Sequence, residues 1–355
     1  METSTKFSNT ELVFVTSNSV ISKLFLVYPS AFAALGASAS IILAGLTAIT
    51  GLVFTIITIC LYKKKFDILQ IVETKFIRTV FSILLILLFI GNQGYFVRSV
   101  AESLKISILP ESPLFLITLI YMSGVVICSR TGLKAIIRAH SFVTPFTIAL
   151  VILLLASSVN NFDFYSVFPI MGNGNAMFSY LGILASYFAD FILLMFLIPF
   201  SSDKASYKKT IIASHIISSV MLFIIMGIYT LTIPYSVSGT FFIPVYRIAQ
   251  YINYQSFMAR MESFFTIGWM LSYFLTSAIY LYVASMLTGR IFKAKRYRPY
   301  MYVIALVIFI ISFIPKNTSE LIQWSNFFAT PRLIVGMILP VLILLSARFK
   351  EGRKQ

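Results

Sequence analysis

About ten apolar runs, each near the roughly 20 residues an α-helix needs to cross a bilayer, follow one another along the chain. They lie at about 10–32, 38–62, 79–100, 113–129, 141–159, 176–200, 209–233, 260–289, 300–315 and 332–348. A chain of this kind has one solvent that suits it, lipid, and in lipid every backbone polar group must be paired within its own segment. The pattern therefore predicts an all-α integral membrane protein, with membrane lipid as its first partner. Composition agrees, with 59% hydrophobic and 11% charged residues. A net charge of +16 would by itself fit a nucleic-acid partner. The lysines and arginines lie in short loops between the runs, however, which is the pattern that orients membrane helices, so nucleic acid is discarded.

Loop charge sets the direction. The even-numbered loops carry Lys63, Lys64, Lys65, Lys75 and Arg78, then Arg130, Lys134 and Arg138, then Lys204, Lys208 and Lys209, then Arg290, Lys293, Lys295, Arg296 and Arg298. Lys6 and the tail, with Arg348, Lys350, Arg353 and Lys354, fall on the same side. The odd loops hold only Arg98, Lys105, Arg247, Arg260, Lys316 and Arg332. Both termini are expected in the cytoplasm. The first run lacks a signal-peptide basic region and cleavage site, and is expected to be retained as a signal anchor.

Ten spans with both ends inside divide after the fifth, and because five is odd the second half enters the membrane in the opposite sense. This permits a five-plus-five inverted repeat. Residues 1–355 then form a single transmembrane domain, with 1–159 as the first repeat, 176–348 as the second and 349–355 as a cytoplasmic tail. The halves share no visible sequence similarity. The inner segment "KKKFDILQIVETKF" has Phe66, Leu69, Val72 and Phe76 at helical spacing and suits a short helix at the interface. The outer segment from Pro234 to Phe257 is too interrupted to span; it reads as a lid over the outer mouth or as an ordinary interfacial loop.

Polar residues at membrane depth mark the candidate site. Lys23 lies in "NSVISKLFLVYP", roughly 20 Å from the cytoplasmic end of the first run, and Asp190 in "SYFADF" lies about 15 Å from that end of the sixth. The two can share a level, and an intramembrane charge is costly enough to favour a role. Pro29 predicts a break in the first helix between Ser22 and Tyr28. Broken helices expose amide N–H groups for a carboxylate and carbonyls for a cation. Asn92 and Gln93 in "IGNQGYF" and Trp269 and Tyr273 in "IGWMLSYF" reach a similar depth, with Gly91 and Gly94 permitting close helix approach. The candidate ligand-binding set is Asn18, Ser22, Lys23, Asn92, Gln93, Tyr187, Asp190, Trp269 and Tyr273. For Asn92 and Gln93 a hydrogen bond to a neighbouring helix is the competing reading. Lys23 has four readings: pairing with Asp190, standing in for a coupling cation, receiving a ligand carboxylate, or snorkelling to a vestibule. Cys60 and Cys128 read as buried thiols, and His140 and His215 build no metal-ligand spacing. No catalytic or phosphate-loop arrangement is present, so neither enzymatic chemistry nor a cofactor or metal is expected.

The run "FIPVYRIAQYINYQSFMARMESFFTIGW", Phe241 to Trp269, resembles the signature of the spore germination protein family, B subunit, within the amino acid–polyamine–organocation permease superfamily. The matching residues are Pro244, Arg247, Arg260, Glu262 and Trp269, and "ESPLF", "SRTGLKAIIRAHSFVTP" and "FDFYSVFPIMGNG" extend the likeness over nearly the whole chain. The resemblance implies a LeuT-like, amino acid permease-like fold with broken helices 1 and 6. It also implies a subunit of a nutrient germinant receptor in the spore inner membrane, working with an A-type subunit and a lipoprotein C-type subunit. The implied ligand is a small germinant, typically an amino acid, bound between helices one and six with walls from three and eight. Arg247, Arg260 and Glu262 are expected to form a polar network at the outer mouth. The chain departs from the family at the first-helix break, where Ile21, Ser22 and Lys23 replace a glycine-rich stretch, at Ala259, and at "ASAS", Ala37 to Ser40. Two other functions stay open: a proton- or cation-coupled amino acid transporter with Asp190 as the coupling carboxylate, and a scaffold with a vestigial pocket.

Overall fold

The computed structural model describes residues 6–64, 75–174, 178, 184–251, 261–338 and 340–342, with the side chains of 63–64, 251 and 261–264 left undescribed. Among the described residues the regular secondary structure is helical, apart from one isolated bridge between Phe7 and Ser201. The protein is an all-α integral membrane protein. Six helical stretches of the described chain are long and apolar enough to cross a membrane, and shorter or broken helices fill the other predicted spans.

The first span is broken as its sequence requires. Helix α1, Asn9–Ile21, begins where the Glu11 carboxylate accepts from the backbone N–H of Ser8, 2.8 Å away. It tightens into a 3-10 turn over Ser22–Phe25, and at Leu26 (φ −105°, ψ −145°) the backbone leaves the helical region. Helix α2, Tyr28–Gly36, then starts with Pro29 in its first turn, where a missing N–H does no harm. The break lies inside the predicted interval, but Leu26 makes it rather than the residue next to the proline.

Helices α3, Ser40–Lys64, α4, Lys75–Ser107, α5, Leu114–Arg130, and α6, Leu133–Ser158, complete the first half. Lys134 and Arg138 are therefore on the first turns of α6 rather than in a loop. The sixth span is described over 184–200: a 3-10 turn at Ser186–Asp190, helix α7 at Phe191–Leu197 and a 3-10 turn at Ile198–Phe200. Helix α8, Tyr207–Thr232, leads to two short helices, α9, Tyr235–Ser238, and α10, Pro244–Tyr251. Helices α11, Met261–Ile291, α12, Arg298–Ser312, and α13, Thr318–Leu333, follow, and α13 continues as a π turn at Ile334–Ile338.

The last span corrects the sequence reading most. It starts at Thr318, not near residue 332, because Asn317 caps it: the Asn317 side chain accepts from the Glu320 N–H at 2.9 Å. Arg332, assigned above to an outer loop, is instead about 14 residues into the helix, or roughly 20 Å along its axis, and is buried. Cys60 is another correction: its thiol is exposed on α3, not buried. The proposed interfacial helix falls mostly in 65–74, outside the described residues, although Phe76 is part of α4.

Glycines set how closely the helices approach. A Cβ on Gly91 would lie 2.3 Å from the Phe328 ring of α13, and one on Gly94 would lie 2.4 Å from Ile311 of α12. These small residues are why α4 can lie against both. The loop after α6 is tied to the end of α2: Ser38 donates to the Pro169 carbonyl at 2.6 Å and Asn173 to the Leu35 carbonyl at 2.8 Å. Gly172, at φ +45°, is obligatory there, since a Cβ would meet the Gly36 carbonyl oxygen at 1.9 Å.

Candidate functional site

The break in the first span, the 3-10 turn of the sixth, and the middles of α4, α11 and α13 pack together at the centre of the molecule. Lys23 is 1% and Asp190 4% exposed, and their Nζ and Oδ2 atoms are 2.8 Å apart. The lysine also donates to the Tyr187 carbonyl at 2.5 Å, within the 3-10 turn Ser186–Asp190. Its ammonium lies 4.9 Å from the Tyr187 ring centroid and 5.6 Å from that of Tyr28. Of the readings open for Lys23, pairing with Asp190 is the one the geometry realises.

A second cation reaches the same centre. Arg332 is 2% exposed and donates through Nη1 to the hydroxyl of Tyr28, the first residue of α2. Its charge is within electrostatic range of both Lys23 and Asp190. The Tyr280 hydroxyl approaches the Asp190 carboxylate without an aligned hydrogen bond. Proline 331, inside the helix, and the π turn that follows Arg332 place this guanidinium where the regular backbone ladder is interrupted.

The remaining predicted residues separate into groups. Tyr187 belongs to the Lys23–Asp190 centre through its carbonyl and ring, and its hydroxyl has no hydrogen-bond partner among the described residues. The same holds for Trp269 Nε1, Tyr273 OH, Asn92 Oδ1 and both polar atoms of Gln93, all buried. Trp269 and Tyr273 meet edge to face with centroids 6.2 Å apart, and Tyr273 continues onto Phe96 of α4 at 5.5 Å. Asn18 and Ser22 also fasten the fold, although Asn18 Oδ1 is likewise buried without a hydrogen-bond partner among the described residues. Asn18 donates to the Ser272 carbonyl at 3.0 Å and to Thr276 Oγ1 at 3.2 Å, which fastens α1 to α11. Ser22 donates back to the Ser19 carbonyl at 3.3 Å and steadies the turn.

Above the break, α10 packs on the Ser22–Phe25 turn, on α2 and on α11. Ser30 of α2 donates to the Phe241 carbonyl at 2.5 Å, and Tyr229 of α8 donates to the Ser238 carbonyl, so the segment of α9 and α10 is anchored on both sides. Arg247 donates to Gln250 Oε1 at 3.0 Å and lies over the Phe241 ring at 5.4 Å, beside a cavity of about 340 Å³. Arg260 and the side chain of Glu262, the other members of the expected outer network, lie outside what is described. Arg332, Tyr28 and Tyr280 were missed by sequence reasoning. The capping pair Asn317 and Glu320 is the signal that would have extended the last helix and revealed Arg332.

Known proteins resemble this chain in both sequence and fold. A family model described as spore germination protein matches residues 6–321. Spore germination protein A2 of Bacillus subtilis (strain 168) is 23% identical over 271 residues, covering 75% of this chain and 73% of that protein. Spore germination protein YndE of the same organism is 24% identical over 294 residues, covering 79% and 78%. Among solved structures, MhsT in complex with L-phenylalanine superposes with a TM-score of 0.69 at 11% identity, over 97% of this chain and 99% of that one. The manganese transporter of Eremococcus coleocola superposes with a TM-score of 0.60 at 14% identity, over 94% and 78%. Both are similar in fold alone.

Proposed function

Because the chain belongs to the spore germination protein family, we propose that it is the membrane subunit that senses a small nutrient, an amino acid, in a permease-like pocket and thereby triggers germination. The observation that carries this is the centre itself. A helix break faces a buried Asp190, buried polar atoms without partners surround it, and α10 covers it from outside. Such a centre has hydrogen-bonding capacity in excess of what the protein uses, which is what a ligand requires. The amino acid class follows the fold neighbour bound to L-phenylalanine. Occupancy shifts a conformational equilibrium between the two five-helix halves, 1–159 and 176–348, by no more than the ligand's differential affinity for the two states. An A-type subunit and a lipoprotein C-type subunit in the spore inner membrane read out the shift.

A proton- or cation-coupled transporter is the second reading. It needs Asp190 free to exchange its partner, and here that carboxylate is already engaged by Lys23 at 2.8 Å. Purified protein in liposomes separates the readings. With radiolabelled amino acids under an imposed proton or sodium gradient, saturable binding without accumulation is expected. Accumulation would make it a transporter, and neither binding nor accumulation a scaffold.

Orientation has its own test. In a Cys60→Ser, Cys128→Ser background, Thr240→Cys in the outer segment is expected to react with an impermeant maleimide in right-side-out vesicles, and Lys295→Cys is not. Equal labelling of the two sites would overturn the placement of both termini in the cytoplasm.

A further inference from the structure

We propose that Arg332 is the carboxylate-binding residue of this pocket, receiving the carboxylate of a small organic acid, amino acids included, on the Nε–Nη2 edge of its guanidinium. The inference deepens the reading above and rests on it, since it presupposes that the pocket takes a ligand.

Charge and geometry point the same way. Among the described residues Asp190 is the only buried carboxylate, and it already faces the Lys23 ammonium. Arg332, equally buried, leaves the centre with two cations and one anion. An uncompensated charge at this depth is costly, and an incoming anion would remove that cost. Lys23 is the poorer candidate to receive it, because its ammonium already faces Asp190 at 2.8 Å, donates to the Tyr187 carbonyl and has no pair of parallel donors to offer. Arg332 is different. Only Nη1 is bonded, to Tyr28, while Nε and Nη2 have no partner among the described residues. Those two nitrogens form one edge of the guanidinium, the parallel fork that a carboxylate fills with two hydrogen bonds. The Nε1 atom of Trp324, two turns earlier on α13, is likewise buried without a partner among the described residues.

The chain's two tryptophans, Trp269 and Trp324, lie on α11 and α13, two of the helices that build this region, so their fluorescence serves to report occupancy. Purified protein is titrated with each proteinogenic amino acid, with the matching C-terminal amides and with sodium chloride alone. Charge-assisted hydrogen bonds of this kind lead us to expect acids to bind about 10- to 100-fold more tightly than their amides. In Arg332→Gln that preference is expected to fall to within about threefold, with an unfolding midpoint in the empty state no lower than wild type, since an uncompensated cation has been removed. A purely structural arginine would lower the midpoint and leave the acid-to-amide ratio unmoved. Should Arg332→Gln not fold, Arg332→Lys carries the test, because a point charge cannot reproduce the fork; a ratio unchanged in Arg332→Lys overturns the proposal. Amides binding as well as acids to wild type would overturn it while leaving the pocket intact. A saturable chloride response lost in Arg332→Gln, with no response to acids, would assign the edge to an inorganic anion and overturn the carboxylate. Silence toward acids and amides alike would remove the pocket reading itself.

Discussion

Asp190→Asn is expected to destabilise the protein more than Lys23→Met, and the double variant less than the sum of the two. The asymmetry comes from the third charge. Removing Lys23 leaves Asp190 opposite Arg332, a centre with no net charge, whereas removing Asp190 leaves two buried cations together. Breaking a buried pair by deleting one partner costs about 3–5 kcal/mol. Asp190→Asn should reach that range and Lys23→Met should fall below it. With both removed the centre returns to a single positive charge, and a coupling of roughly 0.5–3 kcal/mol is expected between the sites. Unfolding of the purified variants in detergent measures all three, and spores carrying them report the germination response. Additive losses, or an Asp190→Asn protein as stable as Lys23→Met, would falsify the paired centre.

The second large effect is steric and reverses sign between two glycines. A Cβ on Gly51 of α3 would lie 2.5, 2.7 and 2.8 Å from three atoms of the Phe188 ring, whereas one on Gly227 of α8 meets nothing within 4 Å. Phe188 cannot move alone. Its ring is perpendicular to Tyr187 at 5.1 Å and tilted on His215 at 5.0 Å, and the Tyr187 carbonyl holds Lys23. Gly51→Ala is therefore expected to cost about 1–3 kcal/mol through overpacking and to impair ligand response, although it touches no site residue. Gly227→Ala should instead stabilise by about 0.4–1 kcal/mol, through reduced freedom of the unfolded chain and better helix propensity. Equal midpoints for the two variants would show that α3 is not packed against the sixth span as described.

Much of this architecture was legible in the chain. The apolar runs predicted the helices, Pro29 predicted the interval of the first break, and Lys23 and Asp190 stood out because ionisable residues inside such runs are rare. Gly91 and Gly94 marked a close helix contact, now seen against Phe328 and Ile311. The errors share a cause. Hydropathy is a local sum, so Arg332 beside Pro331 and the polar turns before it read as a loop, although the Asn317 cap had already started a helix. Local sequence also could not show that Asn18 divides its amide, the nitrogen being spent on α11 while Oδ1 stays buried without a partner among the described residues.

The sequence by itself determined which segments enter the membrane and that two opposite charges lie at depth within them. It could do so because the transfer cost of a segment depends on its own residues. Only the tertiary structure decided which buried polar atoms have partners. That Lys23 is held by a carbonyl 164 residues away, and Arg332 by a hydroxyl 304 residues away, follows from packing between helices that no local window contains. Whether a buried charge is compensated depends on the groups brought around it, and that balance made Arg332, rather than Lys23, the residue with an edge to offer a ligand.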